Sequence, residues 1–352
     1  MRFDCFSLGD HLPDPHTGRL HESQAGRYRM WVDLGVHAEA LGFSGVFFGE
    51  HHGSNYILAA PHMVLAAVAA RTSRVRLGTA VSLLPTNDPV RIAEDFATLD
   101  LLSGGRAEIG LGTGITEHTF RLFGRPVEHA AELSAEHLEL LERLWREPRV
   151  TWCGRQRSPF ENFELQPRTA SGGPIPIHRA TATSLATAEQ AGTAGHRLMV
   201  MTIVGSFAAA RPLIETYRAA YRAAGHDPAG ERVTAVAYVH VQEDGARARA
   251  YWAPFLRKYR EFVGGLTVAK GATAGVRAVA AANPGMDPLG EREADFVGDP
   301  QRVKDQILAA NEAAGGFDNL LCYFDVGGLS QAETAAAMSL FAEKVMPDLE
   351  GV

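Results

Sequence analysis

Short apolar runs alternate along this chain with longer stretches in which apolar residues recur at helical spacing. Arg2–Leu8, Gly45–Gly49, Val75–Leu83 and Ala107–Leu111 read as strands, separated by helical patterns at Tyr28–Leu41, Ala60–Arg71 and Pro89–Leu102. After a helix at Ala131–Trp145 and a polar excursion from Thr151 to Leu165, the alternation resumes. Pro174–Ile177, His196–Met201, Val233–Val241 and Asn319–Phe324 are the later strands. Helical patterns lie at Leu185–Ala191, Ala208–Ala224, from Gly245 onward, Pro300–Ala314 and Gln331–Val345. Local signals mark some ends: Gly42 follows the first helix as a cap residue, and Pro89 opens the third, where its missing N–H costs nothing.

Eight strands separated by helices, none joined as a tight hairpin, are expected to pair in parallel through right-handed crossovers. Eight such units close a (β/α)8 barrel, so the expectation is an α/β fold, one TIM barrel spanning residues 1–352. An open doubly wound sheet, or a division into two domains near Arg149–Pro174, are the alternatives. Residues 150–173 and 261–297 are long for barrel loops and read as insertions, the second a candidate mobile cover.

Composition narrows the function classes. With 34 basic and 41 acidic residues the net charge is −7, which suits solubility and argues against a nucleic-acid partner bound through its phosphates. The three cysteines, Cys5, Cys153 and Cys322, are too few and too scattered for a disulfide framework or a CxxC metal site. The longest apolar stretch, ILAAPHMVLAAVAA, falls short of a bilayer span, so no membrane association and a cytoplasmic location are expected.

The reactive face of a TIM barrel lies at the C-terminal ends of its strands. Glu50, His51 and His52 follow the second strand, and Ser82, Asn87, Asp88 and Arg91 the third. Thr113, Thr116 and His118 follow the fourth, and Arg179, Thr181, Thr183 and Ser184 the fifth. Hydroxyls and glycines in such loops bring side chains and backbone N–H groups to a bound anion. The GLGTG run at Gly110–Gly114 has the spacing GxGxG and stands behind three β/α units, which makes it a poor dinucleotide fingerprint. A metal reading would gather Glu50, His51 and His52 with Asp88 or Asp325, but adjacent side chains in extended chain diverge. There is no GxSxG nucleophile elbow for a serine hydrolase.

At these residues the chain resembles the luciferase-like monooxygenase family. EHHG at Glu50–Gly53 matches the family's motif after the second strand, and PTNDPVRIAEDFATLDLLSGGRAEIGLG, Pro85 to Gly112, matches its P-T-x-x-P-V-R-x-A-E-D region and the LD-x-x-S-x-GR that follows. FRLFG at Phe120–Gly124 is closest to the luciferase alpha subunit, and FVGDPQRVKDQI and LFAEKVMPDL fit the family's C-terminal motifs. The resemblance implies a monooxygenase that binds reduced FMN non-covalently, usually from a separate flavin reductase. Oxygen adds at C4a of the ring, and the resulting flavin peroxide attacks a small aldehyde, ketone or related substrate. It also implies a homodimer.

Carried over by position, His51 is the histidine needed for activity and Glu50 lies beside the flavin ring. Ala80 and Val81 form the pair at the ring face, joined by a cis peptide, with Ser82 next to them. His51 is expected to exchange a proton near neutral pH, and His52 to face away from the ring. Four positions depart from the family. Its phosphate-binding arginine falls on Thr113, its reactive cysteine on Gly112, and its Glu-Ser pair on Thr181 and Ala182. The phosphate is therefore expected on Thr113, Arg179, Thr181, Thr183 or Ser184. Alternatives are an F420-dependent oxidoreductase that transfers hydride, and a partner subunit without chemistry.

Overall fold

The computed structural model describes residues 1–282, 290 and 292–351. Eight parallel strands form a closed ring: β1 Arg2–Ser7, β2 Gly45–Phe48, β3 Arg76–Thr79, β4 Ala107–Gly112, β5 Ile177–Thr181, β6 Arg197–Val200, β7 Val233–Val241 and β8 Asn319–Tyr323. Each pairs with the next, and β8 returns to β1 with Cys322 opposite Cys5. The longer helices, wrapped outside, are α1 Gln24–Leu41, α2 Pro61–Ala69, α3 Pro89–Ser103, α4 Ala130–Arg146, α5 Leu185–Thr193, α6 Phe207–Ala223, α7 Gly245–Lys270, α8 Ala274–Ala282, α9 Pro300–Ala314 and α10 Gln331–Lys344.

Local chemistry sets the helix ends. The Asp88 side chain accepts from the N–H groups of Val90 and Arg91 and caps α3 ahead of Pro89, while Gly42 and Gly104 close α1 and α3 in the left-handed region. The Ser23 hydroxyl caps α1, which therefore begins a turn earlier than the apolar pattern from Tyr28 predicts.

Four departures from the sequence expectations have physical reasons. The strand expected at Pro174–Ile177 lies at Ile177–Thr181, because Pro174 and Pro176 lack the N–H that a ladder needs. The long third strand breaks at the Ala80–Val81 cis peptide and resumes as the short strand Ser82–Leu83. Residues 150–163 carry an antiparallel pair, Val150–Trp152 with Phe160–Phe163. Within 261–297, α7 continues to Lys270, and Asp295–Gly298 is a further parallel strand on the upper half of β7. That strand spans four residues, too few for a periodic signal. Most of NPGMDPLGE, Asn283–Glu291, lies outside the described residues.

Alternation along the strands sorts side chains between the interior and the helix layer. Phe47 and His178 meet across the ring, so Gly45 and Phe47 of β2, with Gly49 just past its end, and His178 and Ala180 of β5, face inward. The floor is charged: buried Glu108 accepts from His178 Nε2 at 2.8 Å and pairs with Arg76 and Arg197. Near the top, Asp325 accepts from Arg27 at 2.9 Å, Trp31 Nε1 at 3.0 Å and Ser7 Oγ at 2.9 Å, all buried. Such a buried ion pair specifies geometry more than it adds stability.

Candidate active site

The mouth of the barrel has two unlike halves. At the ends of β2 to β5 the inward positions are small: Gly49, Ala80, Gly110, Gly112 and Ala180. A Cβ on Gly110 would stand 2.2 Å from the Thr79 carbonyl oxygen, and one on Gly112 would stand 2.6 Å from Val81 Cγ2, so close approach of backbone at the first and of a side chain at the second leaves no room for larger residues here. The opposite half carries phenols. Tyr56, Tyr238, Tyr259 and Tyr323 are buried together, and Tyr323 donates to Asp10. Burial, with the nearby Asp325 charge, raises the Asp10 carboxyl to about 6 against the opposing pull of Arg27. Small residues on one side and phenols on the other are the kinds of side chain that pack against a flat aromatic ring.

Glu50 and His51 part company. The Glu50 carboxylate is buried and accepts from Leu83 N–H at 3.0 Å, Asn87 Nδ2 at 2.9 Å and His52 Nε2 at 2.9 Å. Its own N–H donates to Val81 O at 3.0 Å. Glu50 thus clamps the segment after β3 from both main chain and side chain. Ser82 is buried in the same brace, donating to Thr79 Oγ1 at 3.1 Å, which in turn bonds Gly110 of β4. The His51 ring instead lies flat on Tyr56, centroids 4.0 Å apart. Burial, helped by His52, lowers His51 to about 3, so the expectation of a histidine titrating near neutral pH does not hold here. His51 is neutral at working pH. His52 turns to Glu50 and packs edge-on against Phe123.

The proposed metal ligands do not converge. Asp88 caps α3 and pairs with Arg157, and Asp325 is committed to Arg27. Among the described residues no three His, Cys, Asp or Glu side chains form a group that could hold a metal ion.

The hydroxyl-rich loops lie next to one another, because β4 and β5 pair with Leu111 opposite Arg179. Arg179 and Thr181 point to the helix side of β5, the face opposite His178 and Ala180. Arg179 is mostly buried and makes no hydrogen bond or ion pair among the described residues; Glu142 of α4 is the charge that acts on it. Thr181 Oγ1 accepts from Ser184 N–H at 2.9 Å, and Ser184 Oγ caps α5 by accepting from Thr187 N–H at 3.1 Å. Thr113 and Thr183 are exposed. An unpaired guanidinium beside the start of α5 is a fitting place for an anion.

The region after α7 closes over this mouth. Thr116 bridges to Ala272, Glu117 N–H donates to Gly271 O at 2.8 Å, Thr273 Oγ1 donates to Gly114 O at 3.0 Å, and Lys270 reaches Gly53 O. Sequence reasoning missed Tyr56 and Tyr259, which stand in no motif.

The family profile described as luciferase-like monooxygenase matches residues 1–317. The chain belongs to that family. It is a flavin-dependent monooxygenase, acting with O2 on a small organic substrate. The alkanal monooxygenase alpha chain of Photorhabdus luminescens is 27% identical over 344 residues, covering 93% of this chain and 94% of that one. The 4-hydroxyprotoasukamycin monooxygenase of Streptomyces nodosus subsp. asukaensis is 29% identical over 341 residues, covering 92% and 87%. Among solved structures, monooxygenase RslO1 from Streptomyces bottropensis superposes with a TM-score of 0.83 at 28% identity, covering 99% of both chains. This monooxygenase has no helix among its described residues that is long and apolar enough to cross a membrane.

Its buried histidines predict an acid-labile fold. Burial lowers His240, stacked on Trp252, to about 4. The unfolded chain binds that proton below about 6.5 and the folded one only below about 4, so this contribution is full above pH 6.5 and fades as pH falls toward 4. The loss amounts to up to about 3 kcal/mol. Asp4 and Asp10, both raised to about 6, act in the opposite sense over an overlapping window. Comparing urea midpoints at pH 7.5 and 5 for the parent and His240→Phe cancels them, and the variant should lose less on acidification.

Proposed function

We propose that this chain binds reduced FMN non-covalently in the small-residue half of the barrel mouth and oxygenates a small aldehyde, ketone or related compound there. The observation that carries this reading is the small-residue end of β2 to β5, with Gly49, Ala80 and Gly112 there and Glu50 and His51 following directly on Gly49. When bound, the reduced ring supplies the electrons that activate O2. The protein's part is to orient that ring, keep water out and manage a proton. Ala80, Val81 and Ser82 form the wall against the ring, held in place by Glu50. His51, being neutral, offers one N–H and one acceptor nitrogen to the reacting atoms. The phenol-lined half and the cover after α7 exclude water.

The phosphate falls to Arg179 with Thr113, Thr183 and the N–H groups at the start of α5, while the Thr181 and Ser184 hydroxyls shape the loop. Arg179→Ala should weaken FMN binding about tenfold or more and leave riboflavin binding little changed, because riboflavin has no phosphate. Titration calorimetry with both ligands checks this, and equal losses would remove Arg179 from the phosphate site.

Reduced FMN reaches this site from a separate reductase, and the protein works in the cytoplasm as a homodimer. Support for the dimer is that α2 and α3, which pack together, leave Met63, Leu101 and Leu102 exposed. The whole reading is tested by mixing the protein with chemically reduced FMN, O2 and a panel of aldehydes and ketones. Product containing one atom of ¹⁸O from labelled O2 supports it, and reduced F420 serving where FMN does not would replace it.

A further inference from the structure

Four histidines of the described residues, buried or partly exposed, are fixed by hydrogen bonds, whereas His51, itself partly exposed, is not. His52 is tied to Glu50, His178 to Glu108, His196 to Glu142 and His137 to the Leu84 carbonyl. His51 has no side-chain hydrogen bond among the described residues. Rotation about the bond to an imidazole is broad, so something else must set the plane of this ring. Among the described residues, the one ring against it in parallel is Tyr56, at 4.0 Å and 15°.

Tyr56 is itself held from three sides. Its hydroxyl donates to the Tyr259 hydroxyl of α7 at 2.6 Å, and both rings are buried. Phe262, one turn further along α7, meets the Tyr56 ring edge-on at 4.9 Å. Its backbone bridges to Asp10 beyond β1, and Ile57 N–H donates to Gly9 O at 2.9 Å. The His51 plane is therefore referred to two other parts of the chain, the end of β1 and the helix that leads into the cover.

We propose that Tyr56 is the positioning residue of this site: its ring sets the plane of the His51 imidazole, and the Tyr259 hydroxyl on α7 holds Tyr56 in place. The proposal rests on the reading of His51 given above, and its chemical consequence is coupling. An imidazole turned out of plane leaves the flavin site intact but presents neither nitrogen to the reacting atoms, so reducing equivalents end as hydrogen peroxide instead of product.

Two measurements test it. In apo protein labelled at histidine, the His51 ring protons should be shielded by the Tyr56 ring. Tyr56→Leu should shift them toward free imidazole, and Tyr56→Phe, which keeps the ring, should leave them nearly in place. Unchanged His51 shifts in Tyr56→Leu would overturn the proposal. In single turnovers with reduced FMN, Tyr56→Leu should raise the ratio of hydrogen peroxide to product about tenfold, with FMN affinity preserved. Adding Tyr56→Leu to His51→Ala should cause no further loss, since the two act as a unit. If Tyr56→Leu does not fold, Tyr259→Phe carries the test, with a smaller rise in peroxide expected; full coupling in that variant would overturn the brace. If the parent makes no product at all, the functional reading fails, and the resonance comparison in apo protein still decides for or against Tyr56.

Discussion

His51→Ala is expected to keep reduced FMN bound and to lose the product. The side chain makes no hydrogen bond that holds the fold together among the described residues, and its chief contact is the Tyr56 ring. Removing a positioned proton donor or acceptor costs on the order of 10²- to 10⁴-fold in the chemical step. O2 should still be consumed, with hydrogen peroxide replacing product. Stopped-flow absorbance with peroxide and product assays checks this, and a loss of flavin affinity in proportion to activity would reduce His51 to a packing residue. Burial adds a second signature. Because His51 is lowered to about 3, it is neutral across the working range, and its acid limb should not appear in the pH dependence of product yield between about pH 6 and 8. A limb near 6.5 that vanishes in His51→Gln would show the ring to be solvated during turnover.

Glu50→Ala should fail in the opposite way, although it is the next residue. The carboxylate is the acceptor for Leu83 N–H, Asn87 and His52, and it fixes the wall at Ala80–Ser82 through that segment. Asn87 and His52 are partly exposed and turn to water when it is removed, whereas the buried Leu83 N–H is stranded. Leaving one such donor unpaired costs about 1–3 kcal/mol. Flavin affinity should fall about 10- to 100-fold, with a lower thermal midpoint, while flavin that does bind is oxidised with normal coupling. Glu50→Gln keeps an acceptor oxygen and should recover much of the affinity. Coupling lost with affinity unchanged would make Glu50 a participant in the reaction instead of a clamp.

Barrel topology, the polar strand ends and the family were legible in the sequence, and the reasons differ. Element order needs only periodicity and caps, which act over a few residues: Ser23 on Gly26, Asp88 on Val90 and Arg91, and Ser330 with Glu333. EHHG and the Pro85–Gly112 block are contiguous, so they are readable without the fold. The strand Asp295–Gly298 was not, because its pairing with Tyr238–Val241 rather than its composition makes it a strand.

The local pattern of this protein therefore determined which segments are strand or helix and which loops carry the chemistry. Only the tertiary structure decided what those residues do there. Barrel closure turns Arg179 to the helix side of β5 and His178 to the interior, a choice of face that alternation alone leaves open. It brings Tyr259 to Tyr56 across 203 positions, and Asp325 to Arg27 across 298. It also takes the His51 ring away from water far enough to lower its pKa, and spends Glu50 on Leu83, Asn87 and His52. Dehydration and the supply of partners are properties of surroundings, and for these residues the surroundings are assembled from segments far apart in the chain.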